Sequence, residues 1–347
     1  MKKIILSAVA LMLVFCMAAA FASCGDTTPA ETTTNSVTAE TSIPTTNKPS
    51  TPNDPSTPGD TGFTPTTTPS ENPGTTGNSG TPETPGTTPV VSDDKVNVKF
   101  FKCGKANATL IRSGDIAILI DCGEEEDNDN NGKQDDGENI LEYLAEKGVT
   151  EIDYFIISQF NKNHYGSVPT ILEGVTVKKI LEPNYTKTGN LYKTYRDAVA
   201  KAGITPQVIT KDTTITAGDL TLTIYPATAA GLDTDEYFSL AVAVDSEGLD
   251  VLVASDVSGT RTAALIKSLN GKTFDILQVP AHGEYNDTVG TLITATNPKY
   301  AVIFASTNNP EDARLMKILN DKTITTFVTK NGSVEAKYKN DTLTVKQ

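Results

Sequence analysis

One segment decides how much of this chain can fold. From residue 25 to about 93, Thr, Pro, Ser, Gly and Asn dominate, in runs such as Thr66-Thr67-Thr68-Pro69 and Thr81-Pro82-Glu83-Thr84-Pro85-Gly86. The segment holds 12 of the 19 prolines. Such a composition buries too little apolar area to offset its chain entropy. Residues 24–94 are therefore expected to form an extended, partly polyproline-II stalk. The folding part is left with residues 95–347, one large domain by length.

The residues ahead of the stalk read as a targeting signal spanning 1–23. Lys2 and Lys3 give a positive start, and Ile4 to Ala20 an apolar run of secretory length. The run closes in Phe21-Ala22-Ser23-Cys24, small residues before a cysteine, which resembles the lipobox of bacterial lipoproteins. That resemblance implies acylation of Cys24 as the mature N-terminus. Plain secretion or a short N-terminal anchor are the alternatives, and the run is short for a spanning helix. A lipid and a stalk together imply a domain held on the extracellular face of a bacterial membrane. No later run is long enough to span one.

Charge and composition exclude several classes. The whole chain carries −14, and about −9 falls on the folding part once the two N-terminal lysines and the stalk's net −7 are set aside. Phosphate-backbone binding needs a basic surplus on one face, so nucleic acid is disfavoured as a partner. Lys178, Lys179, Lys187, Lys193 and Arg196 form a local basic run and read as a solvated face. Four cysteines are too few for a disulfide scaffold, and two histidines too few for a His-rich two-metal centre.

Strand signals open the domain at Val96 to Phe101, then at Ala108 to Arg112 and Ile116 to Ile120 about a Ser113-Gly114-Asp115 turn. Helices are expected over Asn139 to Gly148, Val168 to Leu172 and Leu191 to Ala202, with strands at Ile152 to Ser158 and Val177 to Leu181. The second half repeats the scheme. A hairpin covers Thr214 to Ile224, and strands follow at Ser239 to Val244, Asp250 to Ala254, Phe274 to Val279 and Tyr300 to Phe304. Helices lie at Thr260 to Leu269, Asp287 to Ala295 and Glu311 to Leu319. Strands Thr325 to Thr329 and Val334 to Tyr338, joined by a Lys330-Asn331-Gly332 turn, end it. Two halves of hairpins followed by strand-helix units predict an α/β (α+β) protein. Its two sheets would pack face to face inside two helix layers, a four-layer αββα sandwich.

Several segments, in order, resemble the metallo-β-lactamase-fold family, specifically its ComEC-like hydrolase branch. That branch opens with a strand, a Gly-Gln-Gly-Asp-Ala-like turn and a strand ending Ile-Asp-x-Gly. Here these are Phe100 to Ala108, through Gly104-Lys105-Ala106-Asn107-Ala108, and Leu119-Ile120-Asp121-Cys122-Gly123. The metal motif, Ser-His-x-(His or Asp)-x-Asp-His-x-Gly-Gly, corresponds to Ser158-Gln159-Phe160-Asn161-Lys162-Asn163-His164-Tyr165-Gly166-Ser167. A later strand ending Gly-Asp is here Val253-Ala254-Ser255-Asp256, and a Pro-His-His-Gly is here Pro280-Ala281-His282-Gly283. The resemblance implies a metallo-β-lactamase-like sandwich with one or two metal ions at the strand ends.

The resemblance also implies a degraded site. Gln159, Asn161 and Asn163 are amides at three ligand positions, and Ala281 replaces one histidine of a pair. Amides are poor zinc ligands and do not offset an ion's charge. His164, Asp256 and His282 survive, a two-His, one-carboxylate set sufficient in principle for one Zn2+, Mn2+ or Fe2+. Whether His282 is the ligating member of its pair stays open. A second pattern is better formed. Asp127, Asp129, Asn131, Gly132, Asp135 and Glu138 occupy positions 1, 3, 5, 6, 9 and 12 of an EF-hand-type loop, with Lys133 supplying a backbone carbonyl. Ca2+ is the expected ion; a merely acidic solvated loop is the alternative. Cys103 and Cys122 sit at strand ends near the presumed site, where they either pair in an oxidising exterior or stand as two small buried residues.

The expected function is thus a surface-tethered, calcium-stabilised domain whose metal centre has decayed and which binds a small ligand or envelope partner. One alternative is a mononuclear phosphodiesterase- or esterase-like hydrolase using His164, Asp256 and His282, with Asn163 orienting a water. Another is a cell-envelope adhesion protein, although tryptophan is absent and no aromatic platform is evident.

Overall fold

The structure, a computed structural model, describes residues 94–126, 135–227 and 234–347. The expected signal, the stalk, Cys24 and the loop positions Asp127, Asp129, Asn131, Gly132 and Lys133 lie outside the described residues. The chain divides into two units, Met1–Ser79 and Gly80–Gln347, and every described residue belongs to the second.

The first half runs β1 (Val96–Phe100), β2 (Thr109–Ser113), β3 (Ile116–Ile120), α1 (Asp136–Glu146), β4 (Glu151–Ile152), β5 (Tyr154–Ile156), α2 (Lys162–Tyr165), α3 (Val168–Gly174), β6 (Thr176–Val177), β7 (Ile180–Pro183), α4 (Asn190–Lys201) and β8 (Gln207–Ile209). The second runs β9 (Thr213–Ala217), β10 (Leu220–Tyr225), α5 (Asp235–Phe238), β11 (Ala241–Asp245), β12 (Val251–Val253), α6 (Gly259–Leu269), β13 (Ile276–Gln278), α7 (Val289–Thr296), β14 (Tyr300–Ile303), α8 (Ala313–Asp321) and β15 (Thr325–Val328). Then β16 (Val334–Lys339) and β17 (Thr342–Lys346) return to the first sheet. That sheet has eight strands in the order β17-β16-β1-β2-β3-β5-β7-β8. The other has seven, in the order β15-β14-β13-β12-β11-β10-β9, and β4 pairs with β6 in a small third sheet.

Alternation along the strands builds three apolar layers, because neighbouring side chains point to opposite faces. Ile118 and Ile120 of β3 join Phe100, Val242, Val244 and Ile276 between the sheets. The Phe100 and Phe304 rings meet there at 6.2 Å. Ala117 and Leu119 of the same strand face outward, against Ile140 and Leu144 of α1, Ile171 of α3 and Val199 of α4. On the far side, Ala243, Leu252 and Leu277 pack under Leu265, Leu292 and Leu315 of α6, α7 and α8. The arrangement is the expected αββα sandwich.

The structure adds and corrects details. Helix α2 and strands β8 and β17 were not foreseen. The Lys330-Asn331-Gly332 segment carries the chain from one sheet to the other. The closing hairpin instead joins β16 to β17 through Asn340 and Asp341, with φ of 49° and 57°. Two consecutive left-handed residues are what a tight hairpin turn demands, and Asn and Asp tolerate them. No disulfide joins Cys103 and Cys122, which are buried as thiols among apolar neighbours. The expected basic run is held by acids: Lys178 pairs with Glu151, Arg196 with Glu182, and Lys187 with Asp235. Among the described residues, no helix is long and apolar enough to cross a membrane.

Candidate metal centre

The C-terminal ends of strands from both sheets supply the site. Parallel neighbours β3 and β5 in one sheet, and β12 and β13 in the other, send their following loops to the same edge. Asp121 follows β3, Ser158 to Asn163 follow β5, Ser255 and Asp256 follow β12, and Ala281 and His282 follow β13. The two edges are tied by Leu240 N–H donating to Ser158 O at 2.9 Å and by Ser158 and Ser255 hydroxyls at 2.6 Å. Four non-glycine residues turn these loops in the left-handed region: Asp121, Ser255, Ala281 and His282, with φ of 51° to 57°. Each such residue costs about 1–2 kcal/mol, so their concentration here marks a site the rest of the fold holds in place.

His164, on α2, is fully buried at the centre. Its Nδ1 lies 2.8 Å from Asp121 Oδ2. Asp121 is itself fixed by the Ser158 N–H at 2.8 Å and the Ser158 hydroxyl at 2.7 Å. That holds the ring so that Nε2 faces Asp256 Oδ2 at 3.0 Å. The same carboxylate oxygen lies 3.2 Å from His282 Nε2 and accepts the Gln159 amide N–H at 2.7 Å. Gln159 Nε2 is also 2.6 Å from His164 Nε2, and Asn163 Nδ2 is 2.8 Å from His282 Nε2. Burial alone would lower the His164 pKa, but the flanking Asp256 and Asp121 carboxylates overcome it and raise the value to about 10. Asp256 is likewise opposed by burial and held well below the usual carboxylate range by His282 and His164.

Of the residues expected at the site, Gln159, Asn163, His164, Asp256 and His282 are thus brought together. Asn161 stands just before α2, where its carbonyl accepts the His164 N–H at 2.9 Å. Ala281 offers no ligand, and its N–H donates to Ser255 O at 3.2 Å. Ser158, Ser255 and Gln278 were not foreseen as site residues. Gln278 Oε1 accepts the Ser255 N–H at 2.6 Å and so fixes the strained turn before Asp256. A glutamine ending an apolar buried strand was the available signal. Of the expected calcium loop, Asp135 and Glu138 are described. Asp135 caps α1, accepting the Glu138 N–H at 3.0 Å and the Thr170 hydroxyl.

A family model for the metallo-beta-lactamase superfamily matches residues 102–307. The chain belongs to the metallo-beta-lactamase superfamily. Within it, ComE operon protein 3 of Bacillus subtilis is 22% identical over 209 residues, 59% of this chain and 27% of that protein. Recombination protein 2 of Haemophilus influenzae is 26% identical over 216 residues, 61% of this chain and 24% of that protein. The chain therefore spans about a quarter of the length of the curated relatives it matches. Among solved structures, the CmlA beta-hydroxylase E377D mutant is 13% identical with a TM-score of 0.51, over 70% of this chain and 54% of that one. YhfI from Bacillus subtilis, a metallo-beta-lactamase fold protein, is 14% identical with a TM-score of 0.47, over 70% of this chain and 100% of that one.

Metals are typical of this superfamily, and the donor atoms here can be tested against them. His164, Asp256 and His282 each offer one ligand atom, all within 4.8 Å of one another. Neighbouring ligands about 2.1 Å from one ion lie roughly 3.0–3.4 Å apart, so the spacings of 3.0 and 3.2 Å about Asp256 suit a single ion. Asp256 Oδ1 and His282 Nδ1 are buried without a hydrogen-bond partner, as are Gln159 Oε1 and Asn163 Oδ1. A second ion does not fit: Gln159 and Asn163 offer only neutral amides, and the Asp121 carboxylate is taken up by His164 Nδ1 and Ser158. Gln159 Nε2, moreover, lies beside His164 and Asp256, 2.6 Å from His164 Nε2 and donating to Asp256 Oδ2 at 2.7 Å.

Proposed function

We propose that this chain is a ligand-binding member of the superfamily that has given up the two-ion centre, carried on a lipid-anchored stalk at the extracellular face of a bacterial membrane. One observation carries the reading: the Gln159 amide nitrogen donates to Asp256 Oδ2 at 2.7 Å and stands 2.6 Å from His164 Nε2, so it crowds two of the three atoms that could hold a cation. The Asn163 amide nitrogen lies 2.8 Å from His282 Nε2. In this reading the centre is an internally bonded floor beneath a ligand pocket. The EF-hand-type loop from Asp127 to Glu138 binds Ca2+ and pins the rim beside Asp121. Asp135, the ninth position of that pattern, caps α1 by accepting the Glu138 N–H. Zinc analysis of the full chain after EDTA treatment and reloading tests the reading; it expects well under one zinc per chain.

The convergence of His164, Asp256 and His282 favours a second reading, a mononuclear hydrolase. These three would hold the ion, Asp121 would keep the His164 ring in its ligating tautomer, and Asn163 would orient the reacting group. The ion would supply Lewis-acid polarisation of the bond to be cut. A full equivalent of zinc that is lost in His164→Ala, with metal-dependent phosphodiester or ester hydrolysis, would establish this reading in place of the first. Mass spectrometry of the mature N-terminus at Cys24 tests the anchor: a diacylglyceryl cysteine is expected, and an unmodified N-terminus at another residue would remove the lipoprotein assignment.

A further inference from the structure

Beside the centre lies an open basin of about 420 Å³, within the size range of small-molecule sites. Its charge runs against the rest of the domain. Lys102, Lys105, Lys162 and Lys330 line it, together with Glu124 and the Ser306 to Asn309 turn. Two of its lysines connect to the site below. Lys162 immediately precedes Asn163 and His164, and Lys105 pairs with Glu284, two residues past His282, at 2.6 Å. The strand-end loop holding Lys105 also holds Asn107, whose N–H donates to Asn163 O at 2.9 Å. The Asn107 side chain is buried, and neither of its amide atoms has a hydrogen-bond partner.

The basin is ordered before any ligand arrives. Lys162 pairs with Glu124 at 2.8 Å and Lys330 with Glu311 at 2.6 Å, while the Ser306 turn is closed by Asn309 N–H donating to Ser306 Oγ at 3.1 Å. Lys102 has no carboxylate partner among the described residues. The Lys162 ammonium is itself exposed while its Glu124 partner is buried, so an arriving anion meets the lysine from the solvent side. No arginine lines the basin. Arginine forks recognise planar carboxylates, whereas lysines act as point charges suited to tetrahedral phosphate.

We propose that this basin binds a small, multiply charged phosphate-type oxyanion, with Lys102, Lys105 and Lys162 taking its charge and the Ser306–Asn309 turn its remaining oxygens. The proposal rests on the ligand-binding reading above and names its ligand class. The probe is inorganic pyrophosphate, titrated calorimetrically into the full chain in EDTA at low salt. One saturable site is expected, weakening as salt rises. The pair Lys102→Ala with Lys105→Ala should weaken it at least about tenfold, and the Lys102→Arg and Lys105→Arg pair should restore most of it. Lys267→Ala, on the exposed face of α6, should leave it unchanged, and circular dichroism confirms that each variant is folded. Absence of saturable binding overturns the proposal, as does binding that the alanine pair leaves intact. Citrate bound as tightly with the same lysine dependence overturns the phosphate assignment. Zinc analysis of a second sample of the same protein, reloaded with zinc and freed of EDTA before a repeat titration, separates the two claims. Pyrophosphate binding alongside a full equivalent of zinc keeps the basin and discards the ion-free floor, and neither zinc nor binding does the reverse.

Discussion

At Asp121 one carboxylate organises both the fold and the site. It accepts from the backbone and hydroxyl of Ser158 and holds His164 Nδ1, all in a buried setting. Removing one partner of such a buried set leaves the others uncompensated, so Asp121→Ala should lose about 3 kcal/mol or more in urea unfolding. A loss under about 1 kcal/mol would mean that the network is dispensable. Glycine makes a similar local demand. Gly123 has φ of +80°, and a Cβ there would stand 2.3 Å from Asp136 Cβ, whose carboxylate accepts the Glu124 N–H. Gly114 also has a positive φ but open space around it. Gly114→Ala should therefore cost about 1–2 kcal/mol, the left-handed term alone, and Gly123→Ala clearly more, measured side by side. The histidines were legible in the sequence as site residues because both fall on positions of the metal motifs the chain resembles. The roles of Ser158 and Ser255 were not, since a serine at a strand end carries no sign of which partner it will meet.

At the scale of elements, Glu335 of β16 joins three pieces of the first helix and sheet layers. It accepts the Asn97 amide from β1 at 2.9 Å and the Tyr143 hydroxyl from α1 at 2.8 Å. Burial opposes its ionisation, yet these bonds, with Lys337 and Lys99 nearby, lower its pKa below the ordinary value of 4.5. A depressed folded-state pKa means stability that is present above the unfolded value and lost as pH falls through the folded one. Glu335→Gln should therefore be less stable than the parent at pH 7, by about 1–2 kcal/mol, with the gap closing below pH ~4. Chemical unfolding across that range checks the sign. Strands such as β3 were legible because alternating apolar residues serve two cores at once. β8 and β17 were missed because they are edge strands with little to bury, and Val208 of β8 is itself exposed. The Asn340-Asp341 pair was nonetheless a readable turn signal for the last hairpin.

Across the whole molecule, two sheets share one apolar layer and each has a second beneath its own helices, so the strand ends are fixed from both sides. The order of motifs made that architecture legible, since each site residue sits at a strand terminus that the sandwich must bring to one edge. What an altered ligand set leaves behind was less legible, because the bond from Gln159 to Asp256 is a property of packing across sheets. The calcium reading belongs to this scale too. Millimolar Ca2+ should raise the unfolding temperature of the full chain, by an amount corresponding to about 2.7 kcal/mol at a hundredfold excess over Kd. Asp127→Asn with Glu138→Gln should abolish the rise, and an unchanged rise would place the ion elsewhere. The central claim is that amides have taken over a metal centre. Zinc content of the wild type, measured beside a restored variant carrying Gln159→His, Asn161→His, Asn163→Asp and Ala281→His, tests it most directly. The account predicts substoichiometric zinc in the wild type and up to two zinc per chain in the variant; a full equivalent in the wild type, lost in His164→Ala, would contradict it.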